Sequence, residues 1–246
     1  ILSGLVGSEM CIRDSRETSP FGINAPNCPP GPFTSGHQWS IQVKNFPDRI
    51  ALVGMRGSGK TTLGRLIAEK LALQLIDCDK VLESRMGMTI LEMFSQFGES
   101  GFREKEAKCL ADLVQGERWI MACGGGVVLG ETNRSLLRER SFVIWLDAPP
   151  ETLAERVSKD PWSATGRPPL DQSNIKISTI ETNKFKTENR SFENVRQELK
   201  QVYSTRQELY KNTSHLRFST STGSPEEWWT RLQQEFDNFQ TIQRGS

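Results

Sequence analysis

Histidine is almost missing from this chain: His37 and His215 are the only two in 246 residues, so a histidine-centred metal site or histidine general-base chemistry is not expected. Cysteine is sparse and odd in number. Cys11, Cys28, Cys78, Cys109 and Cys123 lack paired metal-site spacing, which argues against a disulfide framework and for free thiols in a reducing compartment. No apolar run approaches the roughly 20 residues that span a bilayer, and residues 1–15 lack the long apolar core of a secretory signal. Charge of either sign is not in excess: 31 Lys and Arg face 30 Asp and Glu, a net charge of +1. That balance offers no global field for nucleic acid or an anionic membrane. No internal repeat is visible, and the length suits one α/β domain with appendages.

What the chain does have is Gly54-Met55-Arg56-Gly57-Ser58-Gly59-Lys60-Thr61. A short apolar run, residues 50–53, precedes it, and an amphipathic segment with Leu63, Leu66, Ile67 and Leu71 follows. Strand, glycine-rich loop and helix in that order form a phosphate-binding P-loop. Glycines free the backbone to turn successive N–H groups towards a phosphate, and the helix points its positive end at the same anion. Gly57, Ser58, Gly59, Lys60, Thr61 and Thr62 are the expected nucleotide contacts. Lys60 reaches the β- and γ-phosphates, and the Thr61 hydroxyl can ligate Mg²⁺.

Residues 1–44 look unlike the rest. The stretch 24–36 is rich in Pro, Gly and Asn without hydrophobic period and reads as disordered or linker. Residues 5–15 resemble one reading frame of a common transposon-end sequencing adapter, and the chain opens on Ile1 rather than Met. An artefact in an open-frame fragment fits both; genomic DNA encoding the same residues contiguously would overturn that. From residue 45 to about 242, strands and helices alternate, and residues 243–246 read as a tail. Strands are expected at 50–53, 74–77, 119–122, 142–147 and 216–218. Helices are expected after the P-loop, after Thr89 and Glu92 at capping-box spacing, and over about 102–114, 132–139, 150–157 and 192–209. A last helix opens on Ser224-Pro225-Glu226-Glu227; its stripe of Trp228, Leu232, Phe236 and Phe239 reads as core packing. Residues 158–190 lack apolar period and are expected to form a mobile lid with an insertion. Five strands separated by helices imply a parallel three-layer sheet with ligands at the strands' carboxyl ends.

The candidate chemistry lies at those ends. Asp77 and Asp79 close the second strand. One carboxylate can hold Mg²⁺ through water while the other accepts a proton or hydrogen bond from an acceptor hydroxyl. An N-cap at Asp79 would explain one aspartate but not both. Arg103, with Glu106 one turn along, could grip a carboxylate bidentately, although such pairs are commonly solvated on helix surfaces. Gly124-Gly125-Gly126 after a buried strand would let a small ligand approach the backbone. Arg167, in Gly166-Arg167-Pro168-Pro169, could swing over the phosphates as an arginine finger. Arg206 by itself reads as an ordinary helix-surface cation.

Taken together, these motifs resemble the shikimate kinase family over roughly residues 49–239. The resemblance rests on the P-loop, Asp77-Cys78-Asp79, Gly101-Phe102-Arg103 with Glu106, the triple glycine, Gly166-Arg167-Pro168, and Arg206 with Tyr210. Met55-Arg56, Gly87-Met88-Thr89-Ile90 and Ala122-Cys123 look most like the kinase segment of the pentafunctional arom polypeptide. The resemblance implies a P-loop kinase fold: a five-stranded parallel sheet flanked by helices, with a mobile lid. It implies ATP-dependent phosphorylation of the shikimate 3-hydroxyl, with Mg²⁺ as cofactor and ATP and shikimate as ligands. Carried over, Lys60 and the loop amides hold phosphates, Thr61 and Asp77 serve the metal, and Asp79 contacts or deprotonates the acceptor. Arg103 and Arg206 clamp the carboxylate, Gly125 offers its backbone, and Arg167 closes over ATP. Two departures stand out: Pro169 follows Pro168 where leucine is usual, and Arg167 and Arg206 are further apart than is usual in the family. A regulatory domain that kept the fold, or a kinase for another hydroxy acid such as gluconate, are the competing readings. A reducing compartment, cytoplasm or plastid stroma, suits the thiols.

Overall fold

The computed structural model describes residues 46–160 and 192–244, all within one compact unit, Val43–Ser246. The N-terminal segment, the adapter-like stretch and the expected lid with Arg167 lie outside the described residues.

Five parallel strands form the sheet: β1 (Arg49–Val53), β2 (Gln74–Asp77), β3 (Trp119–Ala122), β4 (Phe142–Asp147) and β5 (Leu216–Ser219), in the order β2-β3-β1-β4-β5. All five expected strands are present. The central strand pairs Ile50 with Ile120 on one side and with Phe142 on the other. Its residues are apolar on both sides because helices cover both faces. Ala51 and Val53 pack with Met121, Val143 and Trp145 against one helical layer, while Ile50 and Leu52 pack with Ile120, Ile144, Leu146 and Phe218 against the other. This period-two division of a continuously apolar strand produces the three layers.

The first layer contains α3 (Ile90–Leu113), α4 (Glu131–Arg140), α5 (Pro150–Lys159) and α6 (Phe192–Thr213); the second contains α1 (Lys60–Leu71) and α7 (Pro225–Arg244). A short helix, α2 (Cys78–Met86), joins β2 to α3 and supplies Leu82 to a satellite cluster with Ile90, Met93, Phe102 and Cys109. The capping box at Thr89 is complete: the Thr89 side chain accepts from Glu92 N, and Glu92 accepts from Thr89 N at 2.7 Å. The α3 helix is interrupted at Gly98, which takes φ 67° and ψ −176° before the helix resumes. Ser224 and Glu227 close the expected box at the start of α7. Connections leave β1 towards the β2 edge and β4 towards the β5 edge, so a topological switch lies between β1 and β4 at their carboxyl ends.

Candidate active site

The chain leaves β1 through Gly54 and turns back into α1 at Gly59, whose φ of 88° is left-handed and free of strain only for glycine. A Cβ at Gly59 would also meet the Trp228 ring at 2.9 Å, so the loop lies flat against α7. Lys60 starts α1 and arches back over the loop, donating to the Gly54 carbonyl at 2.9 Å and the Met55 carbonyl at 2.8 Å. Thr61 donates to Asp77 Oδ2 at 3.2 Å, which puts a hydroxyl and a carboxylate side by side beneath the loop.

These residues border a cavity of about 640 Å³. Its lining includes Gly57, Gly59, Lys60, Thr61, Thr62, Asp77 and Asp79, so the P-loop and both aspartates share one space. Asp77 ends β2 and also N-caps α2, where it accepts from Lys80 N at 3.3 Å. The capping role considered for Asp79 therefore belongs to Asp77; Asp79 lies in the first turn of α2. Between them, the neighbouring Cys123 thiol, followed by burial, pushes the pKa of the Cys78 thiol up. It stays a thiol, leaving the aspartates to carry the polar chemistry.

A second group of side chains gathers at the triple glycine. Arg103 donates to Glu106 Oε2 at 2.8 Å and to Glu99 at 3.3 Å, with its guanidinium 5.1 Å from the Phe102 ring centre. This pair is not the solvated surface contact that its spacing suggests. Glu106 is 8% exposed, and burial raises its carboxyl pKa against the opposing pull of Arg103. Arg103 Nε is buried and meets no hydrogen-bond acceptor among the described residues. Gly126 permits this packing: a Cβ there would lie 2.4 Å from the Arg103 guanidinium nitrogens. A Cβ at Gly124 would likewise lie 2.7 Å from Asp79 Oδ1 and 3.1 Å from Glu106 Oε1. Arg206, which by itself reads as a surface residue and through the resemblance as half of a carboxylate clamp, is 9% exposed and donates to the Gly125 carbonyl at 3.3 Å. Asp79, Arg103, Gly125 and Arg206 thus converge, although they come from α2, α3, the β3 loop and α6.

Arg156 and Trp228 are among the cavity residues that escaped the reading of the sequence. Arg156 on α5 donates to the Gly57 carbonyl at 3.2 Å and lies 5.3 Å from the Trp228 ring centre. Its position on the helix after β4, the strand beside the P-loop strand, was the available signal. Trp228 packs as core but also lines the cavity.

For a divalent cation, Thr61 and Asp77 are hard oxygen donors at one mouth of the cavity, the set that suits a metal already carrying phosphate oxygens and water.

A phosphate cradle at the switch point of a parallel sheet, facing a second polar half-site, defines a P-loop phosphotransferase acting on a small molecule. More narrowly, the chain belongs to the shikimate kinase family, whose model, described as shikimate kinase, matches residues 56–237. It is 34% identical over 187 residues to the shikimate kinase of Rhodopirellula baltica, covering 76% of this chain and 89% of that protein. A shorter match, 49% identical over 107 residues, is to the shikimate kinase of Symbiobacterium thermophilum and covers 44% of this chain and 62% of that protein. Among solved structures, shikimate kinase from Acinetobacter baumannii in complex with shikimate superposes with a TM-score of 0.63 at 31% identity, covering 77% of this chain and 93% of that one. Members of a kinase family of this kind generally use a divalent metal with ATP. No helix among the described residues is long and apolar enough to cross a membrane.

Proposed function

We propose that this chain transfers the terminal phosphoryl group of ATP to the 3-hydroxyl of shikimate, giving ADP and shikimate 3-phosphate, with Mg²⁺ as the metal. The observation that carries this reading is the convergence of Arg103, Arg206 and Asp79 on the triple glycine beside the P-loop cavity. Two guanidinium groups on one glycine loop suit a single carboxylate, and a carboxylate beside them suits ring hydroxyls. A P-loop kinase for a neutral sugar would have no use for the paired guanidinium groups.

In this mechanism the P-loop amides and Lys60 bind the β- and γ-phosphates; Lys60 exchanges its carbonyl partners for phosphate oxygens. Thr61 and Asp77 would hold the metal, and Thr62 completes the nucleotide contacts. When bound, such a metal would supply positive charge to offset that of the phosphates. Glu106 holds the Arg103 guanidinium in a fixed plane, so that Arg103 and Arg206 seat the shikimate carboxylate. Asp79 orients the attacking hydroxyl and accepts its proton, while the Gly125 backbone contacts the substrate. Arg167, outside the described residues, is assigned to ATP by the sequence and the family resemblance alone. Positioning and charge neutralisation suffice for phosphoryl transfer, and no covalent enzyme intermediate is required.

The test is a coupled ATP-consumption assay with shikimate, quinate and gluconate as acceptors. Turnover dependent on shikimate is expected; its absence in correctly folded protein would favour a regulatory domain, and preference for gluconate would favour the other kinase reading. The free thiols Cys78, Cys109 and Cys123 suit a reducing cytoplasm. Met55-Arg56 and Ala122-Cys123 support descent from a multifunctional shikimate-pathway polypeptide, which sequencing of the contiguous locus would check.

A further inference from the structure

Tyr210 has no role in the mechanism above, yet it touches both halves of the site. Its hydroxyl donates to the Gly125 carbonyl at 2.5 Å and sits 3.6 Å from Met55 Sδ in the P-loop. Arg206, one turn earlier on α6, donates to the same carbonyl. Gly125 in turn backs onto the P-loop: a Cβ there would lie 3.5 Å from the Gly54 carbonyl oxygen and 3.7 Å from the Arg56 backbone nitrogen. The glycine loop of the acceptor half is therefore stacked directly on the entry of the phosphate cradle, with Tyr210 at the joint.

Packing alone would be satisfied by phenylalanine. The ring is fully buried and stacks on Trp145 with centroids 5.9 Å apart, an apolar setting that gains nothing from a hydroxyl. A buried hydroxyl is costly unless bonded, so its use here is the bond it makes. Burial pushes the phenol pKa up to about 12 despite Arg206 and Arg103 nearby, which keeps it a donor throughout the neutral range. Peptides are planar and trans, so holding the Gly125 carbonyl towards Tyr210 directs the Gly126 N–H to the opposite side. Gly126 is the residue against which the Arg103 guanidinium packs. One hydroxyl thus orients the peptide that lies between Arg206 and Arg103.

We propose that Tyr210 is a positioning residue whose hydroxyl clamps the acceptor-side glycine loop to the P-loop, so that filling the phosphate cradle raises the affinity of the acceptor site for shikimate. This rests on the reading that the acceptor half takes shikimate. The linkage is reciprocal: shikimate raises the affinity for nucleotide by the same factor.

The experiment is calorimetric titration of the full chain and of Tyr210→Phe with shikimate alone, with Mg-ADP alone, and with shikimate at saturating Mg-ADP. In the wild type, Mg-ADP should tighten shikimate binding by about fivefold or more. In Tyr210→Phe that ratio should fall to about 1, with Mg-ADP affinity alone changed less than about twofold and kcat lowered about fivefold. An unchanged ratio in the variant, a wild-type ratio of one, or equal weakening of both ligands as in a merely loosened fold overturns the proposal. Wild-type protein that binds Mg-ADP but no shikimate instead overturns the functional reading, and the inference falls with it. If Tyr210→Phe does not fold, Met55→Leu takes its place, because it conserves volume and removes the sulfur contact. It should lower the ratio about twofold, and an unchanged ratio counts against the clamp.

Discussion

The two halves of the cavity are built in opposite ways. The donor half is built mainly on one contiguous stretch, Gly54 to Thr62, shaped by local glycine conformations and the start of a single helix, with Asp77 and Arg156 added from outside it. The acceptor half draws single residues from α2, α3, the loop after β3, and α6. A contiguous loop keeps its shape wherever the fold provides a strand and a helix. A dispersed cluster exists only if sheet order and helix packing deliver each part, so it is the half that tunes readily to a particular acceptor. The electrostatics differ as well. The Lys60 ammonium finds backbone carbonyls on its own loop, whereas Arg103 depends on a buried carboxylate and two aromatic rings.

The sharpest way to separate the halves is Lys60→Ala. Losing a preorganised cation at the phosphates should lower kcat by about 10²–10³-fold, while shikimate affinity measured without nucleotide stays within about threefold. A large loss of shikimate binding in nucleotide-free protein would mean that the halves are not separable in this sense.

The complementary change is Arg103→Lys, which keeps charge and loses the planar fork that Glu106 orients. We expect the KM for shikimate to rise about 10- to 100-fold and the KM for ATP to change less than about threefold. Equal losses for both substrates, in steady-state kinetics with each varied in turn, would argue against Arg103 as an acceptor-side residue.

A smaller effect sharpens the electrostatic side of the comparison. Burial raises the Glu106 carboxyl pKa above its ordinary 4.5, so the folded chain binds this proton more tightly than the unfolded chain. Its contribution to stability is therefore full below the ordinary value and is lost as pH rises through the folded value. Glu106→Gln does not suffer that loss. Urea unfolding from about pH 4 to about pH 7 should show the stability of the wild type, relative to the variant, falling as pH rises. A difference that stays flat or rises would mean that Arg103 outweighs burial.

Reading the sequence reached the two halves unequally. The five strands and the caps at Thr89 and Ser224 were legible because each is set by local pattern: apolar runs bounded by turns, or a hydroxyl three residues before a glutamate. Arg103 with Glu106 looked like a surface pair, since helical spacing does not say which face is buried. Arg206 looked ordinary for the same reason, and only the family resemblance assigned the two arginines to one carboxylate. Arg156 was missed because its partner, the Gly57 carbonyl, lies 99 positions away. Trp228 was legible as core, but not as the ring that lies against Gly59 and lines the cavity.

The amino-acid order is enough to specify a phosphate cradle, because strand, glycine loop and helix encode it within a dozen residues and need only local φ and ψ preferences. It also specifies a three-layer parallel fold, through apolar strands that alternate with amphipathic helices. The acceptor half was decided by the folded chain. Packing α3 and α6 onto one face of the sheet buries Glu106 and Arg206, closes Arg103 on Gly126, and brings Tyr210 against Gly125. Burial and convergence are properties of distance in space, and residues this far apart along the chain acquire them only through the order of the strands between them.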